Sequence, residues 1–437
     1  MLIRNATLAD GRSVDVRVEG ERIAAVGTRL SGESGPGNGD DSPAIDATGK
    51  LLLPGAIDAH VHFREPGFPQ KETWETGSKS AAAGGVTTVV DQPNTDPPTV
   101  DGPSFDAKAE RARGSYVDYG INGGVTPDWE PDELFDRPVF ALGEVFLADS
   151  TGEMGIGTEL FERAVERAAN EGVVVTVHAE DATRFDEDAR ERDDSDAWSA
   201  YRTAKAEEAA VERAVEVGSR SDARIHVAHT STPEGIEVAT GAGATCEVTP
   251  HHLFLSREDL DDLGTLGRMN PPLRSEDRRR TVFERVRDGT VDVVATDHAP
   301  HTREEKERGI WDAPSGVPGV ETMLPLLLAE AARRTLSYER VRDLTAANPA
   351  RVFDLPRKGR VAAGYDADLV LVDSDSLREI RGQRLHSKCG WTPFEGRQGV
   401  FPELTVVRGT VVWEDGDDGE PGDGTFGEPV GRNVRVS

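Results

Sequence analysis

The chain has 437 residues, 36% of them hydrophobic, enough for one large α/β domain and a smaller companion. Against 50 basic residues stand 80 acidic ones, a formal charge of −30 that excludes nucleic acid and anionic membrane as partners, since both repel such a surface. The basic residues are mostly Arg and the acids run along the whole chain, the pattern of a solvated acidic shell suited to high salt.

In chain order, the first fifty residues read as short strands, MLIRNATL, SVDVRVEG and RIAAVGTRL, followed by a polar loop, SGESGPGNGDDSP. From LLLPGAIDAHVHF the texture changes. GVTTVVDQPN, YVDYGINGGV, VFALGEVFL, VVVTVHAED, RIHVAHTS, ATCEVTPHHL and VDVVATDHAP are compact apolar runs, with amphipathic stretches such as ELFERAVERAAN between them. Runs apolar enough to be buried on both faces and separated by helices predict a parallel sheet. About eight such units close a (β/α)8 TIM barrel, here over residues 51–354.

Beyond residue 355, GRVAAGYDADLVLVD and ELTVVRGTVVWEDG return to strand texture. Residues 1–50 and 355–413 are each too small to bury much alone, so together they are expected to form one small β-sandwich domain beside the barrel. The Gly/Asp-rich residues 414–437 are expected to be a mobile acidic tail. Cys246 and Cys389 lack metal or redox spacing and read as inert buried thiols. No apolar run approaches the roughly 20 residues that span a bilayer, and MLIRNATLADGRSV has no signal-peptide pattern, so a soluble cytoplasmic protein is expected.

Barrel active sites lie at the C-terminal ends of the strands, and the metal-capable residues fall there. His60 and His62 close the first strand, Glu144 sits in the fourth, His178 closes the fifth, His229 the sixth and Asp297 the eighth. Imidazoles and carboxylates converging from five strands suit zinc, and their number exceeds the needs of one ion. Two ions bridged by a carboxylate are therefore expected, lowering the pKa of bound water toward about 7 and polarising a carbonyl or phosphoryl oxygen. Asp297, at the lip of the last strand, is placed to carry a proton from the attacking water to a leaving nitrogen. Its plainer reading is a helix cap before APHTREEK.

Two blocks, HFREPG continuing into KETWETGSKSAAAGGVTTVVDQPNTDPP, and TDHAPHTREEK, resemble the dihydroorotases of the amidohydrolase superfamily, and the likeness covers essentially the whole length. The resemblance implies a two-zinc barrel that interconverts N-carbamoyl-L-aspartate and L-dihydroorotate in pyrimidine synthesis. It implies His60, His62 and Asp297 on one zinc, His178 and His229 on the other, and Asp297 as general acid/base. Many relatives bridge the metals with a carboxylated lysine in the fourth strand. Here Glu144, in GEVFL, holds that place and supplies a carboxylate directly, with Asp149 in the ADSTG turn as the alternative bridge.

Strand alternation sends Arg64 to the same face as His60 and His62, where a guanidinium fork suits the carboxylate of the implied substrate. A surface salt bridge is its plainer reading. Asn94 and His301 resemble the family's other contacts to that carboxylate; His62, Asn270 and the backbone at Ser315 and Gly316 match further substrate-binding positions. His226 reads as a core residue, His251 and His252 as groups behind the ligands, and His386 as lying outside the barrel. The long segment LSREDLDDLGTLGRMNPPLR is a candidate lid.

Two alternatives stand beside this reading. A hydantoinase, dihydropyrimidinase or allantoinase would share metals and barrel, but a neutral ring would leave Arg64 and His301 unmatched. A catalytically silent scaffold of the same fold would be expected to have lost ligand positions, all of which are kept here. The sequence leaves homo-oligomerisation open.

Overall fold

The computed structural model describes residues 1–30, 44–150, 154–416 and 423–436. The polar loop read at 31–43 lies outside the described residues, as does part of the ADSTG turn. Eight parallel strands form the centre: Ala56–Val61, Val86–Asp91, Asp118–Ile121, Leu142–Phe146, Val175–His178, Ile225–Val227, Thr245–Val248 and Val293–Val294. The first three and the last five form two ladders. Single bridges, Gly123 to Leu142 and Val61 to His298, join the ladders at both seams and close the barrel.

The strands are buried on both faces because helices cover the outside. The helix Thr158–Glu171 shows how the sequence arranges this. Phe161, Ala164, Val165 and Ala168 recur at helical spacing and are buried, and the helix stops at Gly172, whose φ of 69° is the left-handed conformation that glycine adopts without strain. Trp74–Ala83 and Gly102–Ala112 each begin with a capping box, from Thr73 with Thr76 and from Asp101 with Ser104.

The two ends of the chain build one hydrogen-bonded sheet of nine strands among the described residues. Leu51–Pro54 is its junction. That strand runs parallel to Leu2–Leu8 on one side and antiparallel to Leu369–Val372 on the other. Although the sequence groups it with the barrel, it hydrogen-bonds into this sheet, and only Gly55 separates it from the first barrel strand. A Cβ at Gly55 would lie 2.1 Å from Thr87 Oγ1, so the crossing admits no side chain. The expected sandwich thus takes the form of a single sheet whose two halves share a core of Ile3, Val16, Leu52, Leu369, Leu371 and Val406.

The expected mobile tail is corrected over residues 423–436. Thr425–Phe426 pairs with Thr410–Glu414, and Asn433 bridges to Tyr119 of the third barrel strand. Arg435 donates to the carbonyls of Phe140 at 3.1 Å and Phe353 at 2.8 Å. The acidic run gives way to TFGEPVGRNVRV, where Phe426 packs 4.7 Å from Trp413, centroid to centroid, and this anchors the return.

A buried ion cluster ties the sheet to the barrel. Lys358 Nζ lies 2.8 Å from Asp118, at the start of the third barrel strand, and 2.5 Å from Asp368, beside Leu369–Val372. Arg408 also pairs with Asp118. Replacing Lys358→Met leaves two buried carboxylates short of a cation and is expected to destabilise the fold by about 3 kcal/mol. Denaturant unfolding in high salt reads this directly, and an unchanged midpoint would contradict the role.

Candidate metal centre

Glu144 projects from the middle of the fourth strand into the barrel mouth. Its Oε1 lies 2.9 Å from His178 Nδ1 and 2.5 Å from His229 Nε2, and its Oε2 lies 3.3 Å from His60 Nε2. Asp297 Oδ1 is 2.9 Å from His62 Nε2 and 3.6 Å from His60 Nε2. Two metal-capable groups result, His60 with His62 and Glu144, and Glu144 with His178 and His229, and they share Glu144. A tetrahedral ion with bonds of about 2.0–2.2 Å spaces its ligands about 3.3–3.6 Å apart; His60 lies at 3.3 and 3.6 Å from the two carboxylates, while the other pairs stand at 2.5–2.9 Å and would have to open to admit an ion.

The donor chemistry asks for a cation. Buried His60 Nε2, aimed at both carboxylates, has no hydrogen-bond partner. Burial opposes charge on His60, yet Glu144 and Glu247 beside it hold its pKa well above the ordinary value. Burial likewise opposes charge on Glu144, but His229 and His60 bring it well below the usual carboxylate range. His178 is pushed up to about 9 against its burial, by Glu144 and Glu180. The residues fit a pair of divalent ions.

Carboxylates behind the rings fix their orientation. Glu247 Oε1 lies 2.6 Å from His60 Nδ1 and accepts the His229 backbone N–H at 3.2 Å, while its Oε2 lies 3.1 Å from His226 Nε2. His226 is therefore a hydrogen-bonded core residue. Glu180 Oε2 lies 2.8 Å from His178 Nε2 and is gripped by Arg202 at 2.6 Å. Asn94 Oδ1 lies 2.6 Å from His62 Nδ1. Such partners set tautomer and ring direction. Sequence reading missed Glu247, Glu180 and Arg202. For the two glutamates the one signal was an acid inside or directly after an otherwise apolar buried run, CEV and VHAE; Arg202, in AYRTAK, has none.

A cavity of about 290 Å³ opens above the cluster, and His62, Arg64, Asn94, Asn270, Ser315 and Gly316 all line it, together with Glu144, His178, His229 and Asp297. His301 stands behind, its Nε2 3.2 Å from Arg64 Nη2 and 2.9 Å from the Ser315 carbonyl oxygen. Burial and the cations Arg64, Lys71 and Lys306 hold His301 well below its ordinary pKa, so it is neutral. Arg64 Nε donates to the Pro300 carbonyl at 3.2 Å, and no carboxylate of the described residues pairs with this guanidinium. Burial pulls its pKa down to about 10, which leaves it fully charged at neutral pH.

Strand alternation is not what points Arg64 inward. The first strand ends at Val61, and a left-handed turn with Arg64 at φ 64° carries the side chain into the cavity. Asp297 is not a helix cap; Thr302 caps Arg303–Lys306 instead. Asp149 belongs to neither donor group, and its Oδ1 accepts the Gly155 N–H at 2.7 Å. His252 is hydrogen-bonded to Thr249 and Pro271, His386 to Glu321. Both cysteines are buried and free. The segment 255–274 folds as short helical turns, and its Asn270 reaches the cavity with Oδ1 accepting from the Trp198 indole at 2.9 Å. No helix of the described residues is long and apolar enough to cross a membrane.

The amidohydrolase family model matches residues 51–412. The chain belongs to the amidohydrolase family. Within it, the chain is 67% identical over 436 residues to the dihydroorotase of Halobacterium salinarum, covering 99% of both chains. It is 45% identical to the dihydroorotase of Methanosarcina acetivorans, over 96% of this chain and 93% of that one. Among solved amidohydrolase-type structures, the L-hydantoinase (dihydropyrimidinase) of Arthrobacter aurescens superposes with a TM-score of 0.90 at 29% identity, covering 98% of each chain.

For this amidohydrolase, Glu247→Gln should weaken retention of divalent metal by about 10–100-fold, because the His60 ring loses its orienting anion. Metal analysis after dialysis against graded chelator measures it, and retention equal to the parent protein would remove Glu247 from that role.

Proposed function

We propose that this chain is a dihydroorotase, interconverting N-carbamoyl-L-aspartate and L-dihydroorotate with two zinc ions in the cytoplasm of a salt-adapted cell. The observation that carries the substrate is Arg64, a buried guanidinium with no protein carboxylate, beside a metal-capable cluster in a chain whose full-length relatives bear that name. In this reading His60, His62 and Asp297 would hold one zinc and His178 and His229 the other, with Glu144 the carboxylate common to both groups. A metal pair held there would supply an ionisable water at neutral pH and a Lewis acid for the carbonyl.

The chain's own groups do the rest. Asp297 faces the cavity, and His62 and His60 outweigh its burial to keep its pKa below the ordinary value, so it rests as a carboxylate. It can take the proton that the attacking water gives up and deliver it to the ring nitrogen as the C–N bond breaks; cyclisation runs the same transfer backwards. Arg64 receives the substrate carboxylate with Asn94 beside it and neutral His301 behind. Asn270 and the backbone at Ser315 and Gly316 bind the amide edge.

A hydantoinase shares the fold, but its neutral ring would leave Arg64 buried and unmatched, at a cost of about 1–3 kcal/mol or more for a charged group. A silent scaffold has no use for two intact donor groups. Purified protein in high salt with zinc should turn over both partners of the dihydroorotase couple, and preferential turnover of dihydrouracil or allantoin would overturn the assignment. Arg64→Met should raise KM by about 10–100-fold with metal content unchanged. Asp297→Asn should lower kcat by about 10²–10⁴-fold, and near-normal turnover would take Asp297 out of the proton path.

A further inference from the structure

Five arginines are buried among the described residues: Arg64, Arg202, Arg268, Arg274 and Arg408. Three are neutralised, Arg202 by Glu180, Arg274 by Glu207 and Arg408 by Asp118. Among the described residues, no carboxylate pairs with Arg64 or Arg268. Burying a cation without a counter-charge is unfavourable unless a partner comes from elsewhere. Arg64 has its use in the reaction cavity. Arg268 lines a second, outer cavity of about 990 Å³, which shares Ser150, Asn270 and Ser315 with the first.

The Arg268 guanidinium lies over Trp198, 3.7 Å from the ring centroid. Its one hydrogen bond among the described residues runs from Nη1 to the Ile310 carbonyl at 2.6 Å, and buried Nε has no partner. Nη2 is thus left without a protein acceptor and open to a carboxylate oxygen, whereas Nε is closed off from solvent. Its backbone is fixed: the Arg268 carbonyl accepts from Lys306 Nζ at 2.7 Å and from the Gly316 N–H at 3.1 Å. Trp198, Tyr201 and Trp311 pack edge-on or tilted at 5.6–5.7 Å and wall the cavity, with Arg190 over Tyr201. Of the acids on that wall, Asp149 is turned to the Gly155 N–H, and Asp312 favours the Arg268 charge from a distance without closing to an ion pair.

We propose that this outer cavity is a docking station for a small carboxylate, gripped by Arg268 on its Trp198 platform before the molecule moves inward to Arg64. Its identity as N-carbamoyl-L-aspartate or dihydroorotate rests on the function proposed above; the station itself does not. The need for it follows from charge. At about 1 M salt a Debye length of about 3 Å cancels long-range attraction and repulsion alike, so the −30 surface neither steers nor excludes an anion from a distance. Capture then depends on a cation met at contact distance.

Tryptophan fluorescence reads the station directly, because Trp198 lies under Arg268. In the full-length Arg64→Met protein, with the inner site disabled, succinate should still give a saturable signal, and the Arg64→Met/Arg268→Met protein should lose it. A signal that survives in the double variant, or is absent from the single one, overturns the proposal. Succinate is not turned over, so this result stands apart from the assignment of activity. In the Arg268→Met single variant, kcat/KM for N-carbamoyl-L-aspartate should fall about ten-fold through a higher KM, with kcat and zinc content unchanged, because capture slows while the complex at Arg64 is untouched. Unchanged KM would overturn the station as part of the substrate's route.

Discussion

A carboxylate buried at the mouth of a barrel must be met by positive charge, and the surroundings of Glu144 are organised by that requirement. Ring nitrogens of His60, His178 and His229 converge on its two oxygens from the first, fifth and sixth strands. Each of those strands contributes only one or two useful side chains, so the cluster exists only when the barrel closes. Closure comes late in the chain, through His298: its carbonyl accepts the His62 N–H at 2.8 Å, and its N–H reaches the His60 carbonyl at 3.3 Å. The seam that completes the fold therefore also positions the first two donors and brings Asp297 beside them.

The same principle separates substrate recognition from fold. A TM-score of 0.90 to a hydantoinase at 29% identity shows that barrel, small sheet and mouth are shared scaffolding. What distinguishes one cyclic amide from another must lie in the few polar groups that face the cavity. In this chain those groups include, away from the metal-capable cluster, a guanidinium, Arg64, that pairs with no carboxylate of the described residues. A strongly acidic composition thus coexists with two buried guanidiniums that pair with no carboxylate of the described residues.

Much of this was legible in the sequence because it depends on local pattern. Apolar runs of strand length, helices between them, and His or acid at the run ends are one-dimensional signals, and they lead to eight strands and to both halves of the donor cluster. The misses have a common cause, which is that they depend on partners far away in the chain. Glu247 looks like a solvent-facing residue in CEVTP until His60, 187 positions earlier, is placed 2.6 Å from it. The tail reads as mobile because its acidic first half dominates the composition, whereas its fate is decided by Phe426 and Arg435 against distant aromatic and carbonyl groups. Arg64 reaches the cavity that alternation predicts by a different geometry, because a left-handed turn takes the place of an extended strand beyond Val61.

That turn is one of three. Arg64, His229 and Asp297 carry φ values of 64°, 31° and 46°, left-handed backbone in residues with side chains, at a cost of roughly 1–3 kcal/mol each. In an extended strand, successive side chains alternate across the wall, so only every second residue could face the mouth. A left-handed residue just past the strand end breaks that alternation and folds the side chain back over the opening. Local hydrogen bonds hold the strain: the His229 N–H is tied to Glu247, and the backbone around Asp297 is tied through Thr296 to buried Asp58 at 3.0 Å and through the His298 N–H to Thr296 Oγ1 at 3.0 Å. Glu247 therefore acts twice, orienting the His60 ring and fixing the backbone of His229, which couples the two donor groups through one anion buried behind them.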